Sequence, residues 1–355
     1  MPETEIIQLD NPGNPTPGDR EKLRAAGARI REGALAAFPT ETVYGLGGDA
    51  LNPESSRRIY AAKGRPSDNP LIVHVCSLEA IDRIADTSDP NFAKLADAFW
   101  PGPMTLILPK KEIVPRETTG GLETVAVRMP SDPVAALLIG YAGGYIAAPS
   151  ANLSGRPSPT DAEHVIQDLG GRVELIIDGG ENPIGLESTI VDLTVPDPVI
   201  LRPGYITDKM LAEALGRPVE TDRAILDPDS GKAPKAPGMK YRHYAPKGEL
   251  TIVEGEESAV LAYLREAVQK AHGSGRKVGL IVTAEHAQAL KADVLRCIGS
   301  RNREDEIAHN LYRILREFDD EQVEVIYSEG FADTGLGQAI MNRLLKAAGY
   351  RVVRV

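Results

Sequence analysis

The chain has 355 residues, of which 42% are hydrophobic and 26% charged, with a formal net charge of −11 and two cysteines. That length exceeds what one hydrophobic core usually serves, so more than one domain is expected. The acidic balance argues against a surface that grips nucleic acid broadly, and the short apolar stretches exclude a membrane-spanning helix. Cys76 and Cys297 lie far apart and outside any CxxC pair, which speaks against a disulfide framework or structural zinc and for a reduced compartment.

Met1 to Asn14 is largely polar and acidic and reads as neither a signal nor a transit peptide, so a cytoplasmic protein with no membrane partner is expected. Thr16-Pro17-Gly18-Asp19 is a helix start, with a hydroxyl cap, proline at the first position and an acid at the third. Leu23, Ala26 and Ile30 continue it at helical spacing to Gly33. Ala34–Phe38 reads as a strand, and Asn52-Pro53-Glu54 opens a helix that Gly64 terminates. Strands are expected at Leu71–Val75, Met104–Leu108, Thr124–Met129, Gly144–Ala148, Glu174–Asp178, Thr189–Leu193 and Val199–Leu201. Helices fall between some strands and not others, which suggests a mixed sheet. Arg217 to Gly248 is rich in proline and glycine and lacks periodicity, as a linker or functional loop would. Beyond it, strands at Leu250–Val253, Val278–Val282 and Val323–Ser328 and helices at Ser258–Ala271 and Gly337–Ala348 form a second, smaller α/β domain.

Five segments could carry chemistry. Phe38 to Ala50 contains Gly45, Gly47 and Ala50 in GxGxxA spacing, but Pro39 to Tyr44 separate the glycines from the strand, so a glycine-rich turn competes with a dinucleotide fingerprint. Its threonines, Glu41 and Tyr44 suit a small polar ligand. In Lys63-Gly64-Arg65-Pro66, the flanking residues fix the turn and aim a guanidinium suited to phosphate, although Lys63 alone could simply offset the helix dipole. His74 ends an apolar strand and is either a core histidine or a ligand contact. Thr124, Ala126 and Arg128 share one strand face, where Arg128 is either a surface residue or an anion binder. Ala148 to Ser158 leaves a strand as a loop dense in hydroxyls and amides, able to offer donors to phosphates or to be a solvated turn. Finally, Gly185 to Asp192 is followed by Arg202-Pro203-Gly204, again an arginine locked by proline. No GxxxxGK[ST], HExxH or metal-ligand cluster occurs, and no Ser/His/Asp spacing suggests a covalent nucleophile.

Together these segments resemble the threonylcarbamoyl-AMP synthase family, in the long YrdC-like form. Lys63 and Arg65 with Ser150 and Asn152 look like its KxR…SxN signature, and Ala236 to Pro246 looks like the linker of that long form. The resemblance covers roughly Gly33 to Lys247. It implies an α/β fold: a YrdC-like catalytic domain over 1–216 with a twisted mixed sheet and flanking helices, a basic linker over 217–248, and a Rossmann-like domain over 249–355. Within the linker the residues themselves suggest more: Ser230 to Gly248 is basic and free of acids, as either a solvated tether or a lid closing on the site would be. It implies a nucleotidyltransferase that joins L-threonine, bicarbonate or CO2, and ATP into L-threonylcarbamoyl-adenylate with release of pyrophosphate. Partner proteins would then pass the group to tRNA beside the anticodon, so tRNA is met only indirectly. The resemblance assigns Thr42, His74, Arg128, Ser188 and the backbone of Ala148 to threonine. It assigns Arg65, Asn69, Thr124, Ser150, Asn152, Ser158, Arg202 and His243 to ATP, and catalytic charge to Lys63 and Arg65. Mg2+ would accompany ATP, with ligands that the sequence does not identify. A related carbamoyltransferase would add CxxC zinc pairs, which are missing here. An RNA-binding module is opposed by the acidic charge and the 5% aromatic content.

Overall fold

The structure, a computed structural model, describes residues 3–222 and 243–355. Chain contacts divide it into two compact units: Met1–Ser154, Ser158–Pro183 and Glu187–Lys240 in the first, and Gly155–Pro157, Ile184–Leu186 and Tyr241–Val355 in the second. Most of the basic linker, including Lys232, Lys235, Lys240 and Arg242, lies outside the described residues, and so does the expected lid before His243.

The strands of the first unit are β1 (Glu5–Gln8), β2 (Ala36–Phe38), β3 (Gly45–Asp49), β4 (Ile72–His74), β5 (Met104–Pro109), β6 (Thr124–Arg128), β7 (Ile146–Ala148), β8 (Leu175–Asp178), β9 (Thr189–Asp192), β10 (Val199–Arg202) and β11 (Glu220–Thr221). They form one mixed sheet in the order β1-β8-β2-β3-β7-β4-β6-β5-β9-β10-β11. Its helices are α1 (Pro17–Arg31), α2 (Pro53–Lys63), α3 (Leu78–Ile81), α4 (Pro90–Phe99), α5 (Pro133–Tyr141), α6 (Ala162–Leu169) and α7 (Asp208–Leu215). The caps read from the sequence are present. Thr16 and Asp19 form a reciprocal capping box with Pro17 in the first turn. Asn52 caps α2, and Gly64 closes it in the left-handed conformation at φ 61°, which a side chain with a Cβ resists.

Period-2 alternation divides the sheet residues between two faces. Val73, Val125, Val127, Leu106 and Val191 enter a large core with Ile59, Leu95, Val165 and Leu211 from the helices α2, α4, α6 and α7. On the other face, Phe38, Ile146, Ala148 and Leu175 pack with Leu23 and Ile30 of α1 and Leu138 of α5. Further along that same face lies a small apolar floor of Ile72, Ile107, Ala126, Ile190 and Leu201.

The Gly45–Ala50 segment is neither a turn nor a dinucleotide fingerprint. Gly45–Asp49 is a buried strand, antiparallel to both β2 and β7. A Cβ on Gly47 would stand 2.5 Å from Ile146 Cγ2 and 2.7 Å from Phe38 Cε1. The glycine is there to let the Phe38 ring lie across the sheet.

The second unit carries β12 (Glu249–Glu254), β13 (Val278–Val282), β14 (Val294–Cys297), β15 (Val325–Glu329) and β16 (Val352–Arg354), with α8 (Glu257–Gly273), α9 (Glu304–Asp320) and α10 (Leu336–Ala347). The sheet order is β14-β13-β15-β12-β16 and every pairing is parallel. The onward connections of the neighbours β13 and β15 leave to opposite sides, the doubly wound arrangement expected of a Rossmann-like domain. No helix among the described residues is long and apolar enough to cross a membrane.

Candidate active site

The polar residues of the first unit gather at one edge of the apolar floor because of strand register. His74 of β4 is level with Arg128 of β6, and Arg128 with Thr105 of β5. The Thr105 hydroxyl is 2.7 Å from that of Ser188, just before β9. Ser188 in turn accepts from Arg202 of β10, whose Nε meets its carbonyl and Nη2 its hydroxyl, each at 3.0 Å. Five side chains far apart in sequence thus form a strip across five adjacent strands. All five are buried, with exposures between 0% and 5%.

The β2–β3 loop lies against this strip. Thr40 and Thr42 share a hydroxyl contact of 2.9 Å, and the Thr40 hydroxyl donates to the Val43 carbonyl. Arg128 Nη2 is 2.8 Å from Glu41 Oε1, a buried ion pair, and 3.5 Å from Thr40 Oγ1. Asn182 donates to the Thr40 carbonyl. Ala148 of β7 pairs with Ile72 of β4 and is buried beside it.

A second group lies toward the opposite ends of β4 and β6. Lys63 Nζ reaches Ser150 O at 2.5 Å and Asn152 Oδ1 at 3.3 Å, and also donates to Asn152 O. Ser150 Oγ donates to Asn152 Oδ1 at 2.6 Å. Of the KxR…SxN residues, Lys63 therefore meets Ser150 and Asn152 and holds the shape of the 150–152 loop. Arg65 donates to Asn69 O at 3.2 Å and Pro70 O at 3.0 Å, drawing the turn against the start of β4. The buried Asn69 Oδ1 has no hydrogen-bond partner among the described residues. Thr124 begins β6 at this end, and Ser158 donates to Glu187 Oε1 at 2.5 Å. His243 belongs to the second unit, where its ring lies 5.5 Å from that of Tyr244.

Electrostatics separate the roles of these groups. Burial, reinforced by the Arg128 charge, lowers the His74 pKa to about 3, so its imidazole is neutral at physiological pH. Its Nδ1 is 3.1 Å from the Ile72 carbonyl, and the ring also meets the backbone of Ile146. Burial raises the Asp132 carboxyl to about 6, with Glu41 adding repulsion and the Ala135 N–H and Arg128 opposing. Ser188 meets a threonine hydroxyl and a guanidinium, with no imidazole among the contacts described here, so it has no adjacent base to make it a nucleophile. The strip is built to bind and polarise anionic groups.

Comparison with known proteins identifies the family. Residues 28–204 match a family model described as "Telomere recombination", and residues 206–349 match "Threonylcarbamoyl-AMP synthase, C-terminal domain". A threonylcarbamoyl-AMP synthase from Pyrococcus abyssi is 49% identical over 94% of this chain and 96% of its own length. The chain belongs to the threonylcarbamoyl-AMP synthase family. The Bacillus subtilis threonylcarbamoyl-AMP synthase is 47% identical over 94% of each chain. The crystal structure of P. abyssi Sua5 complexed with L-threonine superposes with a TM-score of 0.92 at 47% identity, covering 99% of this chain and 100% of that one. Like its relatives in the threonylcarbamoyl-AMP synthase family, the chain is a nucleotidyltransferase-type enzyme whose product is an AMP-linked intermediate, and its two-domain architecture is that of Sua5.

Sequence reasoning did not single out Thr105, Asn182 or Asp132. Thr105 had a signal, a lone polar residue in the apolar strand Met104–Leu108. Asn182 and Asp132 had none, because only the fold brings them to the β2–β3 loop.

Proposed function

We propose that the enzyme makes L-threonylcarbamoyl-adenylate from L-threonine, bicarbonate or CO2, and ATP, releasing pyrophosphate, and that partner proteins use the product to modify tRNA next to the anticodon. The observation that carries this reading is the His74–Arg128–Thr105–Ser188–Arg202 strip, which lies in a fold shared with a protein crystallised with L-threonine. In this reading Arg128 takes the threonine carboxylate, and Thr42, Ser188 and neutral His74 read its polar atoms beside the Ala148 backbone. Arg65, Asn69, Thr124, Ser150, Asn152, Ser158, Arg202 and His243 serve the nucleotide, with Lys63 holding the loop that carries Ser150 and Asn152.

Thr124 and Arg128 stand four positions apart on β6, about 13 Å of extended chain. That span accommodates an amino acid at one end and a nucleotide at the other, with the apolar floor between them. The carbamate oxygen attacks the α-phosphorus and pyrophosphate leaves. Such a step needs positioning and charge stabilisation more than a protein nucleophile.

Among the described residues, no group of three His, Cys, Asp or Glu side chains is suited to hold a metal. Mg2+ would come with ATP and would offset the charge of the triphosphate; no protein ligand is assigned to it. Pyrophosphate release from ATP tests the reading: it should require threonine and bicarbonate together and be indifferent to RNA.

A further inference from the structure

Glu41 sits between Thr40 and Thr42 and is 6% exposed. Its Oε1 is 2.8 Å from Arg128 Nη2. Even so, neither of its oxygens receives a directed hydrogen bond from the described residues, and Arg128 Nε lacks an acceptor too. A buried carboxylate is costly unless it is both paired and hydrogen-bonded, and here only the pairing is met. The charged and titratable groups shown to interact with it are Arg128 of β6 and Asp132 at the start of α5, and Arg128 in turn acts on His74 of β4. His74 is neutral, and Asp132 is a second carboxyl close enough for Glu41 to repel it. Two acids therefore share one guanidinium. The cluster has an excess of anionic acceptors and, next to them, a cation suited to a carboxylate. A zwitterionic α-amino acid, with its ammonium and carboxylate on one carbon, complements that arrangement.

We propose that Glu41 anchors the ammonium of the amino-acid substrate and takes the proton it must lose before carbamoylation. This rests on the threonine reading above. The proton passes from R–NH3+ to Glu41. The freed nitrogen lone pair forms a bond to the bicarbonate carbon, and the C–OH bond breaks. The departing hydroxide takes the second nitrogen proton as water, leaving R–NH–COO−. Glu41 returns its proton to solvent after product leaves. The transfer replaces an ion pair by two neutral groups, which a buried site favours, while Arg128 acts on both partners, disfavouring the ammonium and holding Glu41 ionised until the substrate binds.

The test is pyrophosphate release by the full chain across pH, with bicarbonate held constant. Glu41→Gln should lose about a hundredfold or more near neutral pH, with a raised threonine KM. It should then recover about tenfold per pH unit in alkaline buffer, as free amine becomes available from solution. Glu41→Asp retains a carboxylate. It should keep the wild-type pH profile at a lower rate, and it carries the test where the amide variant fails to fold. A Glu41→Gln profile parallel to wild type, or a Glu41→Asp profile with the alkaline dependence expected of the amide, overturns the proposal. If wild-type release proves independent of threonine, the substrate reading fails and the proposal falls with it. Intact threonine dependence with an unchanged profile overturns the proposal alone.

Discussion

Lys63, in the last turn of α2, binds the main chain and side chain of Asn152, 89 residues further along, and the carbonyl of Ser150 beside it. The ammonium is 3% exposed, so its charge is invested in the shape of a loop. Arg65, two residues on, is half-buried and donates to the carbonyls of Asn69 and Pro70 in its own turn. The two basic residues of the signature therefore have separable roles.

Their substitutions should differ accordingly. Lys63→Met leaves buried acceptors short of a donor, a cost of about 1–3 kcal/mol, and should lower the Tm by several degrees together with activity. Arg65→Ala should lower the Tm less than Lys63→Met, because Arg65 is only half-buried, and should lower pyrophosphate release at least tenfold, as the loss of a charge-assisted contact worth about 1.5–3 kcal/mol implies. Calorimetry beside the rate assay separates them. Normal turnover in a folded Arg65→Ala protein removes its phosphate role.

His74 should stay neutral through the physiological range. Its pKa falls to about 3 on folding, so proton binding favours the unfolded chain. Its contribution to stability is complete above about 6.5 and is lost progressively as pH falls from there toward 3. The His74 ring resonances should not titrate between pH 8 and pH 5. A midpoint near 6.5 would show an imidazole open to water.

Asp132 supplies a prediction of the opposite sign. Its carboxyl is raised to about 6, so the folded state pays for its charge at neutral pH and is relieved as pH drops. Asp132 also caps α5, accepting from the Ala135 N–H at 2.9 Å, and asparagine caps equally well. Asp132→Asn should therefore raise the Tm at pH 7, with a gain that disappears below about pH 4. A variant less stable than wild type at pH 7 means that the charge is used by contacts the burial argument leaves out.

How much of this was legible in the sequence follows from the range of the forces involved. The caps of α1 and α2 are local, and Thr16-Pro17-Asp19 and Asn52-Pro53 through Gly64 placed them correctly. Strand β3 was not legible, because Gly45, Gly47 and Gly48 look like a turn until the ring of Phe38 is known to need the space. The site residues were legible as types, an arginine before a proline or a histidine ending an apolar strand. Their assembly was not, since it depends on β5 pairing with both β6 and β9, a register set by the whole sheet. Glu41 was visible as an acid between two threonines, but its burial against Arg128 could not be read.

Substrate choice tests the hydroxyl-lined strip. Serine lacks only the methyl of threonine, and an apolar contact discriminates it by about 1–3 kcal/mol. Valine keeps the shape and loses the hydroxyl, stranding a buried partner among Thr42, Thr105 and Ser188. Serine should support slow but detectable pyrophosphate release and valine less. The reverse order would refute hydroxyl recognition.

The reaction assignment is tested most directly by measuring pyrophosphate release from ATP by the full chain, with threonine, bicarbonate and RNA each supplied or withheld. Release that needs threonine and bicarbonate together, and is unchanged by RNA, is the expected result. Release that proceeds without threonine, or that appears only when RNA is added, would contradict the assignment.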